Sequence, residues 1–537
     1  MRRTRVGEYR VPASNQSRFR RYLTRGLIAL AVVAASLLGL RTYVALNGPP
    51  LEPWHTFVPD ELTVDELDAA NWDQYVQAEN AIFERMRVEV TQQLDPEDRV
   101  PYNRYFEGSP VYPANLFEDW NHSYLLEPAG KPSGAVVMLH GLTDSPYSLR
   151  HIARRYREHG FLVIGIRLPA HGTVPAALTA VEWEDWMAAT RLAVRAARQR
   201  SDPADPLHLV GYSNGGALAV KYALDAIEDT QLARPDRLIL ISPMIGITRF
   251  AGMAGLAALP ALLPAFEKAA WLGLLPEFNP FKYNSFPVNG AVQSHRLTEA
   301  LRRQTQRLAA ADRLTGLAPI LTFQSVLDFT VSTPAIISGL FAHLPENGSE
   351  LVLFDVNRTL KFGPLMRPAT TAAIDRLLPT LPQRYRITII ANADTDDADT
   401  VARTIAPGET TAQTRLLGIP YPIQIFSLSH VAIPFPLDDS LYGLEPNPNE
   451  FFGAHLGAIA ARGERGALIV NLDSLFRIAS NPFFPYLLAE IEEAIADPAP
   501  VVPAQSSAVF AKPDVPPPAD PVPDDYQELF LQPAEDP

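Results

Sequence analysis

The sequence predicts an α/β fold with a mostly parallel sheet and helices on both faces. Amphipathic stretches with helical periodicity, such as residues 148–160 and 184–200, separate five short apolar runs. Near-continuous apolar strands that alternate with helices indicate a parallel sheet. HSYLLEPAG (122–130), just before the first run, is the candidate for an antiparallel neighbour. The five runs are GAVVMLHG (134–141), FLVIGIRLP (161–169), LHLVGYS (207–213), RLILISP (237–243) and PILTFQSVLD (319–328).

The composition is that of a globular protein with enough apolar residues for a large core. Of the 537 residues, 47% are hydrophobic and 20% are charged, and cysteine is absent. Disulfides, thiolate metal sites and a cysteine nucleophile are therefore excluded. The net charge is −14 although residues 1–25 contain eight arginines and one glutamate, so the rest of the chain is strongly acidic. Such a body does not suit nucleic acid as a partner, because the nucleic-acid backbone requires a positive surface.

The N-terminus has the pattern of an uncleaved membrane anchor. A basic leader (1–25) precedes the apolar run GLIALAVVAASLLGL, and extension to Leu46 makes a candidate transmembrane helix over 26–46. A helix of that length is roughly 31 Å long at ~1.5 Å per residue, which is enough to cross a bilayer. No small-x-small cleavage pattern follows the run. The positive-inside bias predicts a cytoplasmic leader and a periplasmic body, as in a bacterial inner-membrane protein.

The rest of the chain divides into a main domain with an extension at each end. The predicted parts are an N-terminal extension (47–114) with one helix over 64–94, an α/β domain (115–497) and a proline-rich, acidic tail (498–537). The tail has little to bury and is predicted to be disordered. Within the domain, a helical cap is expected over about 245–317, and its stretch 246–266 is unusually apolar. This stretch either binds acyl chains or packs on the core, and the sequence leaves both open.

The segment LHLVGYSNGGALAV (207–220) contains the candidate nucleophile. Its pentapeptide GYSNG (211–215) fits a G-x-S-x-G turn, with a predicted strand before it and a predicted helix (214–227) after it. A serine in so tight a turn adopts a strained backbone, and the flanking glycines relieve crowding against neighbouring elements. The hydroxyl of Ser213 then lies at a helix N-terminus, where exposed N–H groups favour developing negative charge.

A nucleophilic serine needs a base, and the candidate base is His430. In a strand–serine–helix arrangement of this kind the acid and then the histidine follow the serine along the chain. Of the 11 histidines, His343, His430 and His455 lie far enough along. His430 is preferred because it ends the strand-like segment IQIFSLSH (423–430) and precedes a loop, whereas the other two lie in helix-like stretches.

The acid that orients the histidine is expected to follow a strand between Ser213 and His430. Asp328 closes the fifth apolar run and is the preferred candidate. Asp355, which follows ELVLF, is the rival. A third candidate is the acidic loop of Asp394, Asp396 and Asp397, which is also typical of a solvated turn.

The oxyanion hole requires two N–H donors directed at the position where the carbonyl oxygen becomes negative. The residue after the nucleophile, Asn214, is one candidate. The second is Leu142, in the segment HGLTD (140–144) that follows the first apolar run. His140 precedes the serine and is expected to stabilise this turn. His171, in LPAHG, either fixes a turn or lines the pocket.

Taken together, these motifs resemble serine hydrolases of the α/β-hydrolase superfamily, in the monoacylglycerol lipase/carboxylesterase (serine aminopeptidase-like) branch. The resemblance covers about 115–440 and implies hydrolysis of small-molecule or lipid esters through an acyl-enzyme, without a cofactor or metal. It also implies the triad Ser213, Asp328 and His430. The motifs that carry it are LHGLTDSPYS (139–148), RLPAHGT (167–173), GYSNGG (211–216), QSVLDFTVS (324–332) and SLSH (427–430).

One feature departs from a compact member of that branch. The acid and the histidine are 102 positions apart, which predicts an inserted α/β unit over about 350–420. Its expected strands lie in 350–357 and 385–393, and its expected helices lie around 369–381 and 397–405.

Two other functions remain open from the sequence. One is an amidase or peptidase that uses the same triad, although no acidic pocket for a free amino terminus is identified. The other is a membrane-tethered scaffold that keeps the fold for binding, although a decayed site usually lacks a member of the triad.

Overall fold

The computed structural model describes most of the chain between residues 48 and 496. The described residues leave out the tail and most of four predicted segments: the leader, the anchor (26–46), the apolar stretch 246–266 and the helix expected at 369–381. In the part that is described, no helix is both long and apolar enough to cross a membrane. The described ranges are 48–246, 264–360, 377–423, 425–458 and 480–496, with a few positions between 22 and 43.

A ten-stranded sheet forms the centre of the described chain, in the order β1-β3-β2-β4-β5-β8-β9-β10-β11-β12. The six neighbouring pairs from β3 to β10 are parallel. Strands β1, β11 and β12 are antiparallel to their neighbours, and β6 and β7 form a separate antiparallel pair. The strands are β1 (Tyr124–Leu126), β2 (Gly134–Leu139), β3 (Phe161–Ile166), β4 (Leu207–Tyr212), β5 (Arg237–Ile241), β6 (Trp271–Gly273), β7 (Phe286–Pro287), β8 (Ile320–Ser325), β9 (Glu350–Phe354), β10 (Arg386–Asn392), β11 (Thr400–Ile405) and β12 (Gln413–Leu416).

The predicted mostly parallel α/β sheet is confirmed, because each of the five apolar runs contains one of its parallel strands. The antiparallel neighbour expected in 122–130 is also confirmed, as β1. The apolar runs are continuous because both faces of their strands are buried. In β2, for example, Val137 faces one hydrophobic cluster whereas Val136 and Met138 face another on the opposite side.

Helices cover both faces of the sheet. Helices α5, α6 and α7 contribute to the larger cluster, and α4 and α9 contribute to the one on the opposite face. The helices are α1 (Pro53–Thr56), α2 (Val64–Ala69), α3 (Trp72–Glu89), α4 (Arg150–Glu158), α5 (Trp183–Arg200), α6 (Asn214–Glu228), α7 (Val288–Ala310), α8 (Thr333–Gly339) and α9 (Phe484–Ala496).

The single helix predicted over 64–94 is wrong, because the structure has two helices there, α2 and α3. Ala70 ends α2 with an extended backbone. Asn71 then begins a new helix: its side chain accepts from the N–H of Gln74, and the Gln74 side chain accepts from the N–H of Asn71, both at 3.0 Å. This reciprocal capping box satisfies the first free N–H groups of α3 and separates the two helices.

The insertion between Asp328 and His430 extends the sheet. The strands expected in 350–357 and 385–393 are confirmed as β9 and β10. The helix expected over 397–405 is wrong, because Thr400–Ile405 forms strand β11, antiparallel to β10. Four of its six residues are β-branched, which favours a strand over a helix.

The N-terminal extension packs on the α/β domain. Glu61 accepts two hydrogen bonds from the guanidinium of Arg167, at 2.8 and 2.9 Å. Glu79 accepts from Nε of the same arginine at 3.0 Å. Tyr75 donates its hydroxyl to the carbonyl of Arg167. Since Arg167 directly follows β3 and is fully buried, the extension is part of the domain's interior.

Candidate active site

Ser213 lies in a strained turn between β4 and α6. Its backbone has φ 53° and ψ −114°, a conformation that costs a residue with a side chain on the order of 1–3 kcal/mol. Hydrogen bonds hold this backbone on both sides. The Ser213 N–H donates to the carbonyl of Ile241 at 3.0 Å, and the Ser213 carbonyl accepts from Met244 at 2.9 Å. The end of β5 therefore fixes the position of the serine.

The glycines around the serine allow close packing of backbone. A Cβ atom at position 215 would lie 1.9 Å from the carbonyl oxygen of Leu139 in β2. At position 211 a Cβ atom would lie 2.3 Å from the carbonyl oxygen of Gly215. Real side chains do not reach such distances, so only glycine fits at these two positions while α6 starts directly against β2.

Asp328 and His430 form a buried hydrogen-bonded pair. His430 Nδ1 lies 2.8 Å from Oδ2 of Asp328. The other carboxylate oxygen accepts from the backbone N–H groups of Thr330 and Val331, at 2.8 and 3.0 Å. These two bonds fix the plane of the carboxylate, and Gln324 Nε2 donates to Oδ2 at 3.1 Å.

The charge of Asp328 sets the tautomer of His430. Burial by itself raises the pKa of Asp328, but His430 and the N–H donors outweigh it, so that the pKa lies below its usual value. The carboxylate is therefore ionised at neutral pH and can only accept. Nδ1 of His430 must carry the proton in this pair, which leaves Nε2 able to accept one from a hydroxyl.

The segment before His430 is not a strand, contrary to the expectation for 423–430. In its described part, Ile425 forms a single bridge and the following residues are bends and turns. The loop after β9 satisfies this backbone instead: Asn357 donates its N–H to the carbonyl of Phe426 at 2.8 Å and its side-chain amide to the carbonyl of Ile425 at 3.0 Å. A buried loop, rather than a strand end, presents His430.

Tyr212 contacts His430 and was not identified from the sequence. Its ring stacks on the His430 ring, with centroids 5.4 Å apart and planes at 30°. Its hydroxyl donates to the carbonyl of His430 at 3.4 Å. Because Tyr212 is the residue before Ser213, these contacts tie the loop that carries His430 to the end of β4, from which the serine follows. The sequence feature that could have indicated this role is the aromatic residue at the first variable position of the G-x-S-x-G motif.

The other candidates for the acid and for the histidine lie outside this pair. Asp355 is buried and pairs with Arg358 Nε at 2.9 Å. His343 lies in a short 3-10 helix after α8, and His455 contacts the carbonyl of Ser440 at 3.1 Å. The acidic loop of Asp394, Asp396 and Asp397 is exposed between β10 and β11.

The segment 140–144, the oxyanion loop, packs against the nucleophile. A Cβ atom at Gly141 would lie 3.3 Å from Cβ of Ser213. In the part of the chain that the structure describes, the N–H groups of Leu142 and Asn214 donate to no protein acceptor. Both candidate donors are thus available for an oxygen of a substrate, as an oxyanion hole requires.

His140 and His171 stabilise turns near the site. Nε2 of His140 accepts from the N–H of Leu168 at 3.0 Å, and Nδ1 contacts the carbonyl of Gly141 at 2.9 Å. Burial lowers the pKa of His140 well below its usual value, so the ring is neutral. His171 is fully buried, and its Nδ1 contacts the carbonyl of Pro169 at 2.9 Å. Burial lowers its pKa to about 4.

A metal site is not evident in this region. Among the residues with described positions, no three histidine, aspartate or glutamate side chains are grouped so that they could hold an ion. The groups that the arrangement offers are a serine hydroxyl, an imidazole whose Nδ1 faces a carboxylate, and two N–H donors.

Comparisons with known proteins show similarity over the first part of the α/β domain. Residues 130–356, less than half of the chain, match a family model described as Serine aminopeptidase, S33. The thermostable monoacylglycerol lipase of Bacillus sp. (strain H-257) is 27% identical over 217 residues, which cover 40% of this chain and 79% of that enzyme. The family match ends before the segment that carries His430.

Two solved structures are also similar, though remotely. That of the metagenome-derived lipolytic enzymes LipS and LipT is 23% identical with a TM-score of 0.35, over 44% of this chain and 88% of that one. That of a soluble variant of monoglyceride lipase from Saccharomyces cerevisiae is 12% identical with a TM-score of 0.34, over 43% and 81%.

Proposed function

From its similarity to α/β-hydrolases of the monoacylglycerol lipase and carboxylesterase branch, we propose that this chain is a serine ester hydrolase that acts through an acyl-serine intermediate. The observation that supports it most strongly is the buried pair of Asp328 and His430, with the histidine stacked on the residue before Ser213.

The proposed reaction has two acyl-transfer steps. Nε2 of His430 takes the proton of the Ser213 hydroxyl while the oxygen attacks the ester carbonyl. The N–H groups of Leu142 and Asn214 stabilise the negative oxygen of the tetrahedral intermediate. The carbon–oxygen bond to the alcohol then breaks, and the alcohol leaves with the proton from His430. Water, activated by the same imidazole, attacks the acyl-serine and releases the carboxylic acid and free Ser213.

The first experiment compares labelling and turnover in the full-length chain, purified in detergent. We expect a fluorophosphonate probe to label Ser213, as located by mass spectrometry of the digested adduct, and we expect turnover of p-nitrophenyl esters from acetyl to palmitoyl. The Ser213→Ala variant is the control and should lose both. The acyl length with the highest kcat/KM defines the substrate class.

Two results would contradict ester hydrolysis as the main function and favour one of the alternatives. Anilides of the same acyl groups that are cleaved as fast as the esters would favour the amidase or peptidase. A folded wild-type chain that neither reacts with the probe nor hydrolyses any ester would favour a non-catalytic, membrane-tethered scaffold.

We also propose that residues 26–46 anchor the protein in a bacterial inner membrane, with the hydrolase in the periplasm. Support comes from the apolar run and the basic leader alone. The full-length chain should remain with membranes after alkaline carbonate extraction, and protease added to spheroplasts should digest the hydrolase domain. Release of the chain by carbonate, or protection from the protease in intact spheroplasts, would contradict this topology.

A further inference from the structure

Tyr283 contacts two loops near the candidate site, and both loops lie more than 100 positions before it in the sequence. It lies in the segment 279–287, here called the strap, which ends at α7. The Tyr283 N–H donates to the carbonyl of Thr143 in the oxyanion loop at 2.8 Å. Its hydroxyl donates to the carbonyl of Ala170, after β3, at 3.2 Å. The side chain is buried, with 4% of its surface exposed, so both bonds are shielded from water.

The two carbonyls that Tyr283 holds belong to strained residues. Thr143 has φ 60° and Ala170 has φ 68°, both in the left-handed region that residues with a Cβ atom rarely adopt. Such conformations persist only where surrounding contacts impose them. Tyr283 supplies one of these contacts to each residue, from its backbone to Thr143 and from its hydroxyl to Ala170.

The strap is held on both sides of Tyr283. The buried guanidinium of Arg104 donates to the carbonyls of Asn279 and Gly172, at 3.2 and 3.1 Å, and so ties the strap to the loop after β3. The buried carboxylate of Glu277 accepts from the N–H groups of Asn284 and Ser285, at 2.9 and 2.8 Å. These contacts hold the residues on either side of Tyr283, whereas the Tyr283 ring is held by the contacts of its own hydroxyl with Ala170 and Thr173.

We propose that Tyr283 is a positioning residue for the oxyanion hole, a role that rests on the proposed ester hydrolysis. Thr143 follows Leu142 directly, so the orientation of the peptide groups around Thr143 determines where the Leu142 N–H points. The Tyr283 hydroxyl fixes the ring, the ring fixes the backbone of the strap, and the strap N–H holds Thr143 in its strained conformation. Without the hydroxyl, the ring and the N–H of Tyr283 gain freedom between the held ends of the strap, and the Leu142 donor loses its alignment.

The effect is measured with Tyr283→Phe, which removes only the hydroxyl. Loss of a whole oxyanion donor lowers kcat by about 100- to 1,000-fold, and misalignment of one of two donors is expected to cost about tenfold. We expect kcat for an activated ester and the rate of fluorophosphonate labelling to fall by about that factor, with KM within about twofold.

The matched control is Tyr105→Phe. Tyr105 is also buried and donates its hydroxyl to a backbone carbonyl of the same loop, that of Thr173, at 3.0 Å. It contacts neither Thr143 nor Ala170 by a hydrogen bond in the described chain. Both variants should lower the melting temperature similarly, but only Tyr283→Phe should lower kcat by more than about twofold.

The same Tyr283→Phe change in a chain that also carries Thr143→Gly tests whether Tyr283 acts through the strained backbone of Thr143. Glycine reaches a positive φ without strain, so in a Thr143→Gly chain the Tyr283→Phe change should lower kcat by less than about threefold. An equal tenfold loss in both backgrounds, or equal kcat values for the phenylalanine variants at 283 and 105, would overturn the proposal. Failure of the wild type to react with the probe would instead refute the proposed function, and would be seen before any variant is compared.

Discussion

Asparagine in place of Asp328 is expected to lower kcat for ester hydrolysis by about 10,000-fold while leaving the protein folded. The reason is the orientation that the surrounding backbone imposes. The N–H groups of Thr330 and Val331 require an oxygen at the position of Oδ1. The asparagine NH₂ group must then face His430 and donate to Nδ1. The ring proton moves to Nε2, which can no longer accept the proton of Ser213.

The matched control for this prediction is Asp355→Asn. Asp355 was the rival acid, is also buried and pairs with Arg358 instead of a histidine. Its replacement should leave kcat within about threefold, since it touches none of the reacting groups. Circular dichroism first verifies that both variants are folded. Their kcat values with p-nitrophenyl esters then show which aspartate acts as the acid. A large loss in the Asp355 variant together with a small one in the Asp328 variant would transfer the role of the acid to Asp355.

The Glu79→Gln variant is expected to lower the free energy of unfolding by about 1–3 kcal/mol, because it weakens buried, charge-assisted hydrogen bonds to Arg167 and Ser123. Arg167 is fully buried, and Glu79 is 1% exposed. Glu79 also accepts from the N–H and the hydroxyl of Ser123, at 3.1 and 2.8 Å. A glutamine keeps the shape of the side chain but loses the charge that faces Arg167.

Urea unfolding of Glu79→Gln and of Asp68→Asn tests the role of burial. Asp68 also pairs with an arginine, Arg191, at 2.6 Å, but its side chain is 40% exposed. Exposed pairs contribute less than about 1 kcal/mol, so the Asp68 variant should stay close to the wild type. Equal losses in the two variants would show that burial of the Arg167 cluster has no special importance.

The destabilisation by Glu79→Gln should depend on pH. Burial by itself raises the pKa of Glu79, but hydrogen bonding to His122 and the charge of Arg167 outweigh it, and the pKa lies below its ordinary value. A carboxylate with a lowered pKa in the folded state stabilises the fold above its unfolded pKa, about 4.3. That contribution is lost as the pH falls below this value. The difference in the free energy of unfolding between the variant and the wild type is therefore expected to become smaller at acidic pH.

Some features of the site could be predicted because they depend on neighbours in the sequence. The strained turn at Ser213 needs a strand, small residues and a helix in immediate succession, and all of these are visible in residues 207–220. The buried strands have continuous apolar runs for the same local reason. The choice of His430 depended on chain order, and the strand expected before it is absent because Asn357, 73 positions earlier, satisfies that backbone.

Other features have no local signal. Nothing around Arg167 indicates that Glu61 and Glu79, from the N-terminal extension, neutralise it inside the domain. In the same way, Tyr283 is an ordinary aromatic residue in a loop until the fold places it between Thr143 and Ala170. Contacts of this kind join segments more than 80 positions apart, and no period or motif encodes them.

The sequence alone determined the α/β architecture and the candidate nucleophile, since periodic burial and the sterics of one tight turn are properties of short segments. Only the tertiary structure decided which acid pairs with the histidine. Asp328 and His430 come together because the sheet brings the end of β8 and the later loop to one edge. The tertiary structure likewise decided how charge is neutralised and how strained loops are held. A buried charge or a left-handed backbone is stable only when distant groups supply the compensating contacts.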